Sequence, residues 1–279
     1  MASAPGADTA RGIVNALRAG TVPAEGLEHF AVGLEPQVDA LREQWEFVAR
    51  GHGQYRFLRG SYGSGKTFLA ALAAAEALRA DFATSHVVVS ATDTPLHRLA
   101  EVYRKACQGL TVPGRRGGAV QSVVDRWLYR LEERVVEIEG LQEDAPGFTA
   151  AVQRRVDGDL VALGREAGRF AACLKAYHES HLRQDFAEAR GLLDWLSGEP
   201  KVSAAVKRAA GVRGQVDGAD ALTFLRGLLH LLREAGHRGL LLVIDEAETL
   251  LRLRGPERQK SLEALRQLVD AVDRNLFPG

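Results

Sequence analysis

The run Gly60-Ser61-Tyr62-Gly63-Ser64-Gly65-Lys66-Thr67 fits the pattern G-x-x-x-x-G-K-[ST] at every fixed position, and the chemistry it suits is the binding of a nucleoside triphosphate. A β-phosphate has to be wrapped by backbone N–H groups, which only a loop free of side-chain bulk presents together. Gly60, Gly63 and Gly65 supply that freedom. Lys66 then falls on the first turn of the following helix, where its ammonium reaches the β- and γ-phosphates, and Thr67 can put its hydroxyl on Mg²⁺. Ser61, Tyr62, Ser64 and Phe68 complete the expected nucleotide-binding set. A second group of candidates ends the run Leu240-Leu241-Leu242-Val243-Ile244-Asp245-Glu246. Its apolar residues are what a strand buried on both faces of a parallel sheet requires, and acids at the carboxyl end of such a strand fall where ligands bind. Asp245 is the candidate for the Mg²⁺ shell. Glu246 is the candidate catalytic group that orients or deprotonates a water, beside Lys66 as the catalytic cation.

The elements that must position these residues can be read around them. Tyr55-Arg56-Phe57-Leu58-Arg59 is expected to be a short strand ending at Gly60, and Phe68 to Leu78 is a run of strong helix formers, so strand, loop and helix come in the required order. Ser85 to Ser90 reads as a second buried strand. Thr94 and Pro95 read as the cap and first position of a helix continuing to Leu110. Val112-Pro113-Gly114-Arg115-Arg116-Gly117-Gly118 breaks the pattern. From Val120 to Gly214 the periodicity is helical throughout, with apolar faces at Val123, Trp127, Leu128, Leu131 and Val135, then Phe170, Leu174 and Tyr177, then Leu192, Leu193, Trp195 and Leu196. A stretch of that length cannot be a loop, so it is expected to be a helical insertion with its own small core. Trp127 and Trp195 read as core anchors of it. Ala221 to Ala235 is a helix feeding the acidic strand, and Pro256 to Arg274 is a last helix with Leu262, Leu265, Leu268, Val269 and Val272 inward.

At the amino-terminal side, Asp8 to Gly20 reads as a helix, Thr21 to Glu25 as the start of a short one, and Val38, Leu41 and Val48 as the face of a third. The expected fold is α/β: a P-loop nucleotide-binding parallel sheet with a large all-helical insertion. Its segments are a helical arm at 1–27, the first half of the nucleotide-binding core at 28–112, the insertion at 113–214 and the second half of the core at 215–279.

Composition narrows the alternatives. The chain of 279 residues is 46% hydrophobic and 26% charged, enough to bury one large or two modest cores. No apolar run approaches a bilayer's thickness, and residues 1–8 lack the basic start and apolar stretch of an export signal, so the expected compartment is the cytoplasm. The two cysteines, Cys107 and Cys173, read as small buried hydrophobes. His178 and His181 lack further well-spaced ligands and read as a polar helix end rather than a zinc site. A net charge of +0 argues against whole-molecule attraction to nucleic acid. It leaves room for local basic groups at Arg115-Arg116 and at Arg252, Arg254 and Arg258.

The sequence also resembles a particular family, the BrxD ATP-binding proteins of the BREX phage-defence system. The likeness is carried by Arg59 through Thr67, by Thr94-Pro95-Leu96-His97-Arg98-Leu99 with Val102-Tyr103, by Asp194-Trp195-Leu196-Ser197-Gly198-Glu199, and by GLLLVIDEAETL from Gly239 to Leu250. The resemblance implies an AAA-type ATPase of the origin-recognition and loader group that binds ATP and Mg²⁺ and acts with other BREX components against foreign DNA. It also implies a possible homo-oligomer through the ATPase face. Gly33-Leu34-Glu35 is similar to an element such ATPases place beside the adenine, with Leu34 where arginine is usual. Members continue past the point matching Gly279 into a sensor strand and a lid, so this chain is expected to be an amino-terminal portion. Three readings of function stand side by side: an ATPase completed by an arginine finger, with Arg254, Arg258 and Arg266 as positional candidates; a nucleotide-gated scaffold or loader module with little turnover; and direct DNA binding. The absence of an Asn-Lys-x-Asp motif favours adenine over guanine.

Overall fold

Ahead of the sheet come α1 (Ala7–Arg18), α2 (Glu35–Ala49) and α3 (Lys66–Arg79), and then β1 (Ala83–Val88). The chain returns to the sheet only after α4 (Leu99–Gly109), α5 (Val120–Arg134), α6 (Phe148–Leu182), α7 (Phe186–Leu196), α8 (Ala204–Ala209) and α9 (Gly218–Glu234). Strand β2 (Leu240–Asp245) follows, and α10 (Gly255–Asp273) comes last. The computed structural model describes residues 4–23, 25–61 and 63–277. Within them β1 and β2 pair in parallel, Ala83 opposite Leu240 and Val88 opposite Asp245. Parallel pairing demands a crossover, and here the crossover is the entire helical run from α4 to α9.

Local chemistry sets the helix limits. The Asp217 carboxylate accepts from the Ala219 and Asp220 N–H groups, and the Asp220 side chain accepts in return from Asp217 N–H, a capping box that starts α9. Asp185 caps α7 by accepting from Glu188 N–H. The sheet is covered on both faces. Trp45, Ala77, Phe82, Leu41 and Val48 from α2, α3 and the turn into β1 pack on one face around Leu241. On the other face Val87, Val89, Val102 and Ala106 meet Leu242, Ile244, Leu265 and Leu268, which joins α4 and α10 to the strands.

Five expectations change. Tyr55–Arg59 is not a strand: no described strand pairs with it, and Tyr55, Phe57 and Leu58 are 46%, 66% and 50% exposed. An extended segment without a ladder partner gains nothing from β conformation. For a related reason β2 is partly exposed along its whole length rather than buried on both faces, since only one of its edges is paired among the described residues. The helix expected from Thr94 begins at Leu99, because the Ser90 hydroxyl accepts from the Asp93 and Thr94 N–H groups and holds residues 90–98 in turns. In α10 Leu265, Leu268 and Val272 pack inward as expected, but the most buried positions are Ser261, Ala264 and Ala271, and Leu262 is turned outward. The short helix expected from Thr21 is replaced by a 3₁₀ turn at Leu27–His29, and Ala24 lies outside the described residues.

The helices between 120 and 216 do not keep a core of their own. Their buried residues run without a break into Ala83, Leu99, Tyr103, Phe224, Ala264 and Phe277. At the junction the Phe224 ring of α9 lies edge-on to Tyr103 of α4, Phe170 of α6 and Trp195 of α7, with centroids 5.8, 5.3 and 5.6 Å away. The Tyr103 hydroxyl donates to Leu196 O at 2.9 Å. Such aromatic pairs contribute about 0.5–1.5 kcal/mol each beyond their buried area.

Candidate functional site

Helix α3 enters β1 through the short turn Ala80–Phe82 and lies against both strands, so it runs back along them. Its first turn therefore stands at their carboxyl ends, where β2 finishes at Asp245. Gly63 and Gly65 take positive φ values of 75° and 84°, which a side chain would strain. A Cβ on Gly60 would come within 2.3 Å of Ser64 Oγ, so a side chain there would turn the Ser64 hydroxyl away. The Leu69 N–H donates to Gly65 O at 2.9 Å and the Ser64 N–H to Ser61 O at 3.2 Å, while the Lys66, Thr67 and Phe68 amides have no carbonyl partner among the described residues. They form an exposed anion cradle with the positive end of the helix dipole behind it.

Lys66 folds back over this cradle, its Nζ donating to Gly60 O and Ser61 O at 3.1 Å each. No carboxylate among the described residues pairs with it. Its ammonium is held by two neutral carbonyls, which phosphate oxygens outcompete as acceptors. Ser61, Gly63, Ser64, Gly65 and Thr67 are exposed around it, and Tyr62 lies outside the described residues. Phe68 is half-buried and packs its ring on Phe30, with centroids 6.1 Å apart, a neighbour that sequence reasoning did not find.

Across the strand ends, both oxygens of the Asp245 carboxylate are engaged. Oδ1 accepts from the Glu246 N–H at 2.8 Å, and Oδ2 lies 3.2 Å from Nε2 of His86 on β1. Glu246 is exposed and adopts the left-handed conformation, φ 59° and ψ 27°. For a residue with a β-carbon this conformation costs on the order of 1 kcal/mol or more and is found where surrounding structure demands it. It turns the chain sharply out of β2, and the Thr249 N–H locks that turn by donating to Glu246 O at 2.9 Å. The structure thus gathers the loop, Lys66, Thr67, Asp245 and Glu246 at one end of the sheet. Thr67 makes no hydrogen bond to Asp245 among the described residues.

The remaining candidates sit elsewhere. Arg254 and Arg258 are exposed in the segment after the acidic pair, and Arg266 is exposed near Asp270 at 3.7 Å. Arg116 pairs with Glu25 at 2.7 Å. Trp127 and Trp195 are fully buried, their indole N–H groups donating to Asp159 at 2.7 Å and to Gly214 O at 3.3 Å, so neither can stack a base. Cys107 and Cys173 are buried as free thiols; burial pushes Cys107 up to about 12 and Cys173 higher still, which removes them as nucleophiles. Among the described residues, no group of three or more His, Cys, Asp or Glu is placed to hold a metal. Mg²⁺ beside a triphosphate does not need one, because phosphate oxygens and water fill most of its shell. Nor is any described helix long and apolar enough to cross a membrane.

In class, then, this is a protein with a lysine folded onto an exposed, glycine-bent loop at a helix amino terminus, on the same sheet end as two acids. The chain belongs to the family described as BREX system ATP-binding protein BrxC/D, whose profile matches residues 7–279. It is thereby an ATP-binding component of a defence system. The match does not separate BrxC from BrxD, so the narrower resemblance to BrxD is not distinguished at this level. Searches of curated proteins and of solved structures returned no match.

Proposed function

We propose that the protein is a P-loop ATPase of the AAA type that binds Mg·ATP at the carboxyl end of its sheet and hydrolyses it. The observation that carries this reading is Lys66, an ammonium with no carboxylate partner among the described residues, folded onto a glycine-bent loop at a helix amino terminus on the same sheet end as Asp245 and Glu246. In this reading residues 60–68 wrap the phosphates with their amides, and Lys66 exchanges two carbonyls for phosphate oxygens. Thr67 and Asp245 hold the Mg²⁺ shell, and Glu246 orients the attacking water and accepts its proton. Bound Mg²⁺ would neutralise charge on the phosphates. An exposed arginine from a neighbouring copy, with Arg254, Arg258 and Arg266 as the candidates, would add stabilisation at the transferred phosphoryl group.

The same reading places the protein in the cytoplasm, working with other BREX components and with DNA. A second outcome, a nucleotide-gated scaffold with little turnover, draws on the Phe224 junction. There the helices between the strands share packing with α4, whose other side lies on the sheet.

Two substitutions test the assignment. Lys66→Ala is expected to abolish ATP binding. Glu246→Gln is expected to retain it while slowing turnover about a hundredfold or more. Equal binding of ATP by wild type and Lys66→Ala, measured by calorimetry, rejects the site. Unimpaired turnover in Glu246→Gln rejects the role given to Glu246. Binding without turnover in the wild type selects the scaffold reading.

A further inference from the structure

One side chain at the strand ends is unaccounted for by the roles above. β1 buries Ser85 and Val87 and leaves His86 and Val88 exposed, so His86 stands on the same face of the sheet as Asp245, the register partner of Val88. Its partner is specific: Nε2 lies 3.2 Å from Asp245 Oδ2, across 159 residues of chain. His86 is paired in register with Val243 and not with Asp245, so the contact is diagonal and exists because the carboxylate is turned back toward β1. The aspartate side chain is 23% exposed and that of the histidine 47%, which leaves room for further ligands.

We infer that His86 is a positioning residue for the metal-shell carboxylate: its Nε2–H fixes Asp245 Oδ2 while the Glu246 amide fixes Oδ1, presetting the plane in which Asp245 meets the cation and its waters. This inference rests on the reading of Asp245 as the Mg²⁺-shell residue. The physical reason is the geometry of a carboxylate. Its two oxygens offer about four acceptor directions, and two are taken here by donors fixed to the strands. The remaining directions are therefore oriented before a cation arrives. Partners that orient a metal-binding group in this way typically affect metal affinity by about 10–100-fold. A carboxylate held only by the Glu246 amide would rotate about its remaining torsions and lose that advantage.

The test reads metal dependence rather than turnover. Binding of a fluorescent ATP analogue to the full chain is measured first in EDTA and then across a Mg²⁺ titration, for wild type, His86→Ala, His86→Gln and Asp245→Asn. In EDTA, His86→Ala is expected to bind as wild type does, because the loop and Lys66 are untouched. The Mg²⁺ concentration needed for half of the metal-dependent gain is expected to rise about tenfold. His86→Gln, whose Nε2 amide can donate to the same oxygen, is expected to return it to within about threefold of wild type. Asp245→Asn is expected to raise it at least as far as His86→Ala. An unchanged Mg²⁺ requirement in His86→Ala beside a raised one in Asp245→Asn overturns the role of His86 alone. An unchanged requirement in Asp245→Asn overturns the reading of Asp245 and this inference with it. Weakened binding of His86→Ala in EDTA together with a lowered melting temperature, or a Gln variant as impaired as Ala, makes the contact a folding contact and also overturns the proposal.

Discussion

At the scale of single residues, the protein keeps its charges in two kinds of place. Lys66 and Asp245 stand at the open sheet end, where they are held by few partners and remain available. Asp159 and His230 do the opposite, tying α6 to α9 inside the helical layer at 3.1 Å, with the Trp127 N–H on the other oxygen of Asp159. Burial alone would push Asp159 up, but the His230 contact, the Trp127 N–H and the Arg134 charge hold it below its ordinary 3.8. Burial would push His230 down, yet Asp159, with Glu234 and Glu166 behind it, holds it above its ordinary 6.5. The signs follow from linkage. The raised histidine stabilises the fold below its unfolded value and loses that contribution as pH rises through its folded value. The lowered aspartate stabilises above 3.8 and loses its contribution as pH falls through its folded value. His230→Gln is therefore expected to cost most stability near about pH 5 and progressively less toward about pH 9. Urea midpoints of wild type and variant across that range check this, and a difference that does not vary with pH contradicts it. His178 and His237 act in the other direction. Burial holds both below 6.5, so each favours unfolding as the pH drops through that value.

At the scale of elements, packing between helices is decided by single atoms. Gly227 of α9 lies so close to Phe170 of α6 that a Cβ would sit 2.7 Å from its ring, and that ring is fixed by the Phe224 edge contact. Gly227→Ala is expected to destabilise by about 1–3 kcal/mol, since overpacking here outweighs the gain in helix propensity. Gly158, on the exposed side of α6, has nothing within 4 Å of a built Cβ, so Gly158→Ala is expected to stabilise by about 0.5–1 kcal/mol. Denaturant unfolding of both variants gives opposite signs if the α6–α9 interface is packed as described. Elements also show where sequence reasoning was sufficient. Helix α3 announces itself through a run of strong helix formers, and α7 and α9 through apolar period, signals set within three or four positions. The strand expected at Tyr55–Arg59 does not form, because a strand is not a local object: its stability depends on a neighbour that the pattern of five residues cannot specify.

At the scale of the whole molecule, the sheet is narrow and the helical mass large, and both share one continuous core through Phe224 and Tyr103. A change at the strand ends therefore has a packed route into the helices between residues 120 and 216. A nucleotide effect on assembly is the expected consequence. Mass measured by light scattering is expected to rise with Mg·ATP in wild type and not in Lys66→Ala, and identical masses with and without nucleotide reject nucleotide-driven assembly. The net charge of +0 means that any DNA contact must come from local groups such as the exposed Arg252, Arg254 and Arg258. Retention on DNA is then expected to fall steeply as salt is raised.

The sequence by itself determined the glycine-bent loop ahead of α3, the acidic strand and the helical identity of nearly everything between the strands. These depend on backbone freedom at particular glycines, on apolar period and on caps, all of which are set within a few residues. Tertiary structure alone decided that Tyr55–Arg59 stays unpaired, that α4 waits until Leu99, and that the inserted helices join the common core instead of forming their own. It also decided that His86 reaches Asp245, because a hydrogen bond across 159 residues exists only once two distant strands have chosen each other and their register.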